Sequence, residues 1–405
     1  MPALLVLTLV ALVTSITAVG VFTALLAAAT LLRLLDPELH ARFRVPLAVP
    51  IAAYVVASLL ATAFARDRGA ALHQSKDLLH IVLFVAAVNG FRSTEQIRRA
   101  FAWFFAAVGV ASVYAILQSW ACNGSTEPPA WVATVLRVRF DRCRNLAEEP
   151  FRVRGFFSIY MTFGGTLIVA LALLAGGLAL GVWRRAAALV LPTVLALVAI
   201  GLTYSRNAWV GLLAAVGTLV VLTRRLLLIV PLAVILLLAV AVPSPLRARI
   251  ESAFDPANRT VSERLYFWES GLHMVRDAPF LGLGPGGVKI YYPEYKNPAA
   301  RRTGTSHLHN DALQIAAERG LLGLAAWLSI WIVFLYRAVR IYRALPPGRS
   351  DAAALVAGGI AGVVGFLAAG LFEYNFGDSE VIGLVWVVMA VPFVVAREAG
   401  APVVF

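Results

Sequence analysis

Residues 306–323, SHLHNDALQIAAERGLLG, set two histidines, an amide and a carboxylate immediately ahead of an apolar run. Asn310 or Asp311 is suited to cap a helix continuing into that run, with Arg319 and Gly320 marking a break within it. His309 then stands at a helix N-terminus, whose positive end disfavours the imidazolium. A neutral imidazole accepts a proton near pH 7. The same position also suits a capping or headgroup-level histidine. His307 and His309 lack the i, i+4 spacing of zinc-binding helices and have no carboxylate motif beside them, so no metal is expected here.

Three arginines complement this base. Arg206 lies in TYSRNAWVG, where two apolar runs meet with almost no loop, and ionisable groups held at such depth are usually paired or functional. Arg154 in RVRGFF begins another apolar run, and Arg264 flanks the apolar stripe of residues 260–278. Guanidiniums grip phosphate oxygens in a planar fork and keep their proton. Several of them with one neutral base suit a phosphorylated substrate whose leaving group gains negative charge. Arg264 equally suits snorkelling at an interface. Acids are few: Glu373, Asp378 and Glu380 in LFEYNFGDSE read as a solvated loop. With no Asp-x-Asp pair, a divalent cation on the leaving group is not required.

These residues must be positioned by membrane-spanning helices. The 405 residues are 60% hydrophobic and only 14% charged, with a mean hydropathy of +0.81, whereas soluble domains carry roughly a quarter charged residues. The first run has no basic start or small-residue cleavage site and is expected to stay as an anchor. The net charge of +13 belongs to loops that set orientation and meet headgroups, so no nucleic-acid partner is expected.

Runs long enough to span, about 20 residues each, fall near 3–17, 19–35, 45–65, 77–90, 99–120, 156–181, 186–203, 207–222, 226–243, 320–337, 353–372 and 380–396. Read as one long helix, the first run would invert everything after it. Twelve spans with the N-terminus inside set fifteen basic residues, Arg33 through Arg397, in the inner connections against Arg66, Arg68, Lys76 and Arg206 in the short outer ones, as the positive-inside rule requires. The expected organisation is spans 1–9 over 1–242 with an outer loop at 121–155, a large outer loop over 243–319, and spans 10–12 over 320–405. Arg154, Arg206, Arg264 and His309 then share one face. The cysteines, Cys122 and Cys143, both lie in the first outer loop, where pairing is expected in an oxidising compartment and contributes roughly 3 kcal/mol. Two unpaired thiols are the alternative.

In the large loop, TVSERLYFWESGLHMVRDA reads as a surface helix over 260–278. Thr260 and Glu263 form a capping box, Pro279 is the stop, and Val261, Leu265, Trp268, Leu272 and Val275 form the apolar stripe. The glycines of PFLGLGPGG lack the Lys-Ser/Thr ending of a phosphate loop and read as a turn-rich connector. Tyr291, Tyr292 and Tyr295 offer faces to sugar rings or to the interface. A transporter or an anion channel would show internal repeats and charged or broken helices near the midplane. The runs here are clean in the middle, His80 being among the few exceptions.

RTVSERLYFWESGLHMVRDAPFLGLGPGG and HNDALQIAAERGLLG, the latter with His309, Asn310, Gly320 and Gly323, resemble the O-antigen ligase and polymerase superfamily, as does TYSRNAWVG. The resemblance implies an all-α integral membrane protein of about 12 transmembrane helices, GT-C-like, with a large periplasmic loop containing short helices. It also implies a glycosyltransferase of the bacterial inner membrane with its active site facing the periplasm. An undecaprenyl-diphosphate-linked glycan would be the donor, His309 would help deprotonate the acceptor hydroxyl, Arg206 and Arg264 would hold the diphosphate, and Arg154 and Asn310 would touch substrate. No cofactor or metal is implied, and attack would invert the anomeric carbon. The chain's end nine residues after its last span favours a ligase acting on lipid A-core, with an O-antigen polymerase or a protein O-oligosaccharyltransferase as alternatives.

Overall fold

The computed structural model describes residues 1–40, 43–123, 151–182, 189–230, 233, 245–252, 258–346 and 350–400. All regular structure among them is helical. The helices are α1 (Pro2–Thr14), α2 (Ile16–Leu35), α3 (Pro37–His40), α4 (Ala48–Ala63), α5 (Arg68–Gln74), α6 (Ile81–Gly90), α7 (Thr94–Asn123) and α8 (Tyr160–Ala179). They continue with α9 (Val190–Leu202), α10 (Arg206–Thr223), α11 (Pro245–Glu251), α12 (Arg259–Asp277), α13 (Gly287–Tyr295), α14 (Asp311–Ala344), α15 (Asp351–Gly370) and α16 (Ser379–Glu398). Among the described residues, eight helical segments are long and apolar enough to cross a membrane, with three shorter apolar helices, α1, α4 and α9, beside them. The chain is an all-α, multi-pass membrane protein. These segments coincide with eleven of the twelve expected spans; the ninth, 226–243, lies largely outside the described residues, as does Cys143.

Ser15 divides the first apolar run. Its backbone is extended (φ −163°) and its hydroxyl accepts the Ala18 amide at 3.3 Å, so α1 and α2 are separate helices. At the centre of the bundle, α8, α15 and α16 bury most of their surface. Lipid is as apolar as leucine, so close helix contact rather than hydrophobic exclusion holds such helices together. Glycine permits that contact: a Cβ on Gly358 would stand 2.8 Å from Leu173 Cα, and one on Gly211 2.7 Å from Gly365 O. Trp331, Phe376, Trp327 and Tyr54 pack ring against ring between α4 and α14.

Arginines close one end of the bundle. Arg33 donates to Asn89 O at 2.7 Å, Arg397 to Val88 O at 2.7 Å and to Phe91 O, and Arg337 to Pro46 O. Most of these carbonyls end α6, where a cation meets the negative end of the helix. The His-Asn-Asp stretch begins α14 at the other end.

Candidate active site

Each residue of the His-Asn-Asp triplet bonds to the connection between α15 and α16. His309 Nδ1 lies 3.0 and 2.9 Å from the two carboxylate oxygens of Glu373. Asn310 Nδ2 donates to Leu371 O at 3.0 Å while its Oδ1 caps Leu313 N at 2.9 Å. Asp311 Oδ1 accepts the Phe376 amide at 3.0 Å. The helix start and the turn 371–376 are thereby locked together, and both polar ends of the Asn310 side chain are occupied by this locking. His309 itself adopts φ 52°, the left-handed region that non-glycine residues seldom enter, and such outliers gather at functional sites. Its ring stacks on Phe267 with centroids 5.6 Å apart.

Glu373 is not in a solvated loop. Its side chain is only 3% exposed, and Arg264 Nη2 lies 3.6 Å from Oε2 and His307 Nδ1 3.5 Å from Oε1. Burial alone would raise its carboxyl, but the His309 hydrogen bond, with the charge of Arg264 beside it, outweighs burial and holds it below the usual carboxylate range. An ionised carboxylate only accepts hydrogen bonds. In the neutral imidazole of His309 the proton therefore sits on Nδ1, facing Glu373, and the lone pair sits on Nε2. Burial pushes His307 down to about 4, against the opposing pull of Glu373. The other two acids are also withdrawn from solvent: Asp378 accepts from Thr162 Oγ1 at 3.0 Å, and Glu380 is 8% exposed. A lone Glu between Phe372 and Tyr374 at the end of an apolar run was the available signal for this role, because acids seldom sit in such company without a partner.

The glycine-rich connector sets the depth of the histidine. At Gly320 (φ 66°, ψ −175°) α14 breaks, as the sequence suggested. Leu321 N donates to Pro279 O at 2.7 Å, and the carbonyls of Ala317 and Glu318 accept from Leu283 N (2.9 Å) and Gly284 N (3.0 Å). The connector thus supplies the hydrogen bonds that the break removes. It approaches backbone to backbone: a Cβ on Gly282 would lie 2.4 Å from the Glu318 carbonyl carbon. Beneath it, the buried Glu318 carboxylate accepts from Gln314 at 2.8 Å and Arg319 at 3.1 Å.

α12 differs from its expected form. Asn258 is the cap, accepting from Thr260 N at 3.0 Å, and Glu263 instead accepts the Arg301 amide at 2.8 Å. The buried face is Phe267, Ser270, Gly271 and Met274, while Leu265 and Leu272 of the expected stripe are half-exposed. The small residues decide this: Gly271 lets Leu308 and Leu313 approach within the space of a Cβ, bringing α12 against the start of α14. That contact delivers Arg264 to Glu373. Tyr292, considered a sugar-facing ring, is fully buried, edge-on to Phe267 at 5.5 Å.

The structure brings His309 and Arg264 together and seats the other arginines on different partners. Arg206 begins α10, and its Nη2 donates to Ser252 Oγ at 2.5 Å. Its end of the bundle is the Glu373 end: a Cβ on Gly164 would touch Ala208, and Thr162, two residues earlier, bonds Asp378. The Arg154 guanidinium donates to Ser158 O at 3.2 Å, and its backbone amide to Gln118 Oε1 at 3.2 Å.

Residues 191–328 match the family model described as O-antigen ligase. The match covers about a third of the chain, and over that region the protein is similar to O-antigen ligases. The superfamily match contains Arg206, Arg264 and His309 and ends before Glu373. A protein of Haemophilus influenzae described as uncharacterized is 24% identical over 167 residues, covering 36% of this chain and 42% of its own length.

Proposed function

We propose that the protein is an O-antigen ligase that transfers a glycan from undecaprenyl diphosphate to a sugar hydroxyl of lipid A-core at the periplasmic face of the inner membrane. The observation that carries the mechanism is the His309 Nδ1 bond to a buried, ionised Glu373. Nε2 takes the proton of the acceptor hydroxyl as its oxygen attacks the anomeric carbon. The bond from that carbon to the diphosphate oxygen breaks, the configuration inverts, and undecaprenyl diphosphate leaves. Glu373 faces the imidazolium that forms, and a charge held ready for the transition state is worth more than one that must reorganise. Arg264 and Arg206 neutralise the leaving diphosphate, with Arg154 farther along the donor. The arginine-capped end of the bundle, opposite the site, supports an inside position for that end under the positive-inside rule.

The test is transfer from a defined polyprenyl-diphosphate donor to purified lipid A-core, with and without chelator. Wild-type protein transfers in both conditions, and His309→Ala loses nearly all turnover while keeping its elution profile and melting midpoint. Full activity of that variant would reassign His309 to capping. Elongation of the donor glycan without use of lipid A-core would identify a polymerase instead.

A further inference from the structure

The proposed transfer makes no use of His307, yet its ring completes a second arrangement around Glu373. His307, His309 and Glu373 each offer one donor atom, all within 4.8 Å of one another. His309 Nδ1 stands 3.0 Å and His307 Nδ1 3.5 Å from the same Glu373 oxygen, Oε1. These separations bracket the edge of about 3.3 Å expected for a tetrahedron with bonds of about 2.0–2.1 Å, the geometry of zinc with imidazole and carboxylate. The two rings meet edge to face at 4.3 Å, and His307 Nδ1 is buried without a hydrogen bond. A buried ring nitrogen aimed at a carboxylate and making no hydrogen bond calls for an explanation. The sequence conceals the arrangement because its carboxylate arrives from the turn between α15 and α16.

We propose that His307, His309 and Glu373 bind a transition-metal dication of the zinc type, and that the bound ion reversibly switches transfer off. The second half rests on His309 serving as the base; the first does not. Coordination uses the Nδ1 lone pair of His309. The single proton of the neutral ring then moves through solvent from Nδ1 to Nε2, so Nε2 has no lone pair left for the acceptor hydroxyl. Two nitrogens and one carboxylate suit imidazole-seeking metals, whereas Mg²⁺ and Ca²⁺ require six or more oxygens. Arg264, 3.6 Å from Oε2, repels any dication and further excludes ions that bind nitrogen weakly.

The binding test needs no turnover. Purified full-length protein, stripped with EDTA, is titrated with Co²⁺ and followed by visible absorption, then with Zn²⁺ in competition and with Mg²⁺ as control. One Co²⁺ per chain with tetrahedral absorption bands, displaced by Zn²⁺ and unaffected by Mg²⁺, is expected, as is at least tenfold weaker binding in His307→Ala and Glu373→Gln. His307→Gln replaces His307→Ala if the latter elutes as aggregate. Absence of the bands, or equal bands in folded variants, overturns the site. In parallel, Zn²⁺ inhibits wild-type transfer and EDTA restores it, while His307→Ala transfers normally and needs at least tenfold more Zn²⁺ for inhibition. Zn²⁺ bound by the spectral test without loss of transfer overturns the switch alone, and failure of transfer in stripped protein overturns the ligase reading alone.

Discussion

Replacing Glu373 with Gln changes one charge and almost no volume. The amide oxygen can still accept from His309 Nδ1, so the ring keeps its direction; what disappears is the negative charge opposite an imidazolium that exists only after proton transfer. With the bonded atoms at 2.9 Å the charge centres are about 4 Å apart, and at an effective dielectric constant of about 20 such a pair interacts by ~4 kcal/mol. Part of this survives as a neutral hydrogen bond worth ~1 kcal/mol. A loss of ~2–3 kcal/mol remains, or about 30- to 150-fold in kcat. The KM for acceptor should move little, because the charge matters after binding. The assay is the donor-to-lipid A-core transfer, resolved into kcat and KM, with Glu373→Asp as the variant that keeps the charge and recovers part of the rate. Wild-type kcat in the Gln variant, or a loss confined to KM, would refute electrostatic support of the imidazolium.

Arg206→Lys keeps the charge and loses the planar fork, so kcat/KM should fall at least ~10-fold, the worth of one charge-assisted hydrogen bond; wild-type rates would contradict diphosphate recognition at this position. Gly320→Ala sets a Cβ 2.1 Å from Phe280 O at a backbone conformation open only to glycine. It should cost ~3 kcal/mol or more, read as a lower melting midpoint in detergent, and an unchanged midpoint would disprove the docking of the connector. Burial pushes Asp378 up to about 7 from 3.8. The folded chain therefore keeps a proton that the unfolded chain releases, and the associated stability is full below pH 3.8 and lost as pH rises through about 7. Asp378→Asn should remove this dependence, gaining ~2–4 kcal/mol relative to wild type between about pH 4 and pH 8; parallel pH profiles would rule it out.

Hydropathy over a span-length window, the local chemistry of caps and the positions of glycine determined much of this protein from the sequence alone. The helical membrane architecture, the helix start at Asn310 and the break at Gly320 depend on contacts within a few residues, so they are written locally. His309 and Arg264 were candidates there too, the one at a helix start and the other on the flank of an apolar stripe. Only the tertiary structure decided that Glu373 lies under His309. A carboxylate 64 residues away becomes buried because Asn310 and Asp311 bond its turn and Phe376 wedges between Tyr54 and Trp327. The buried face of α12 was decided in the same way, by the room that Gly271 leaves for Leu308. Burial and proton affinity are sums over neighbours from several helices, and no window of sequence contains those neighbours.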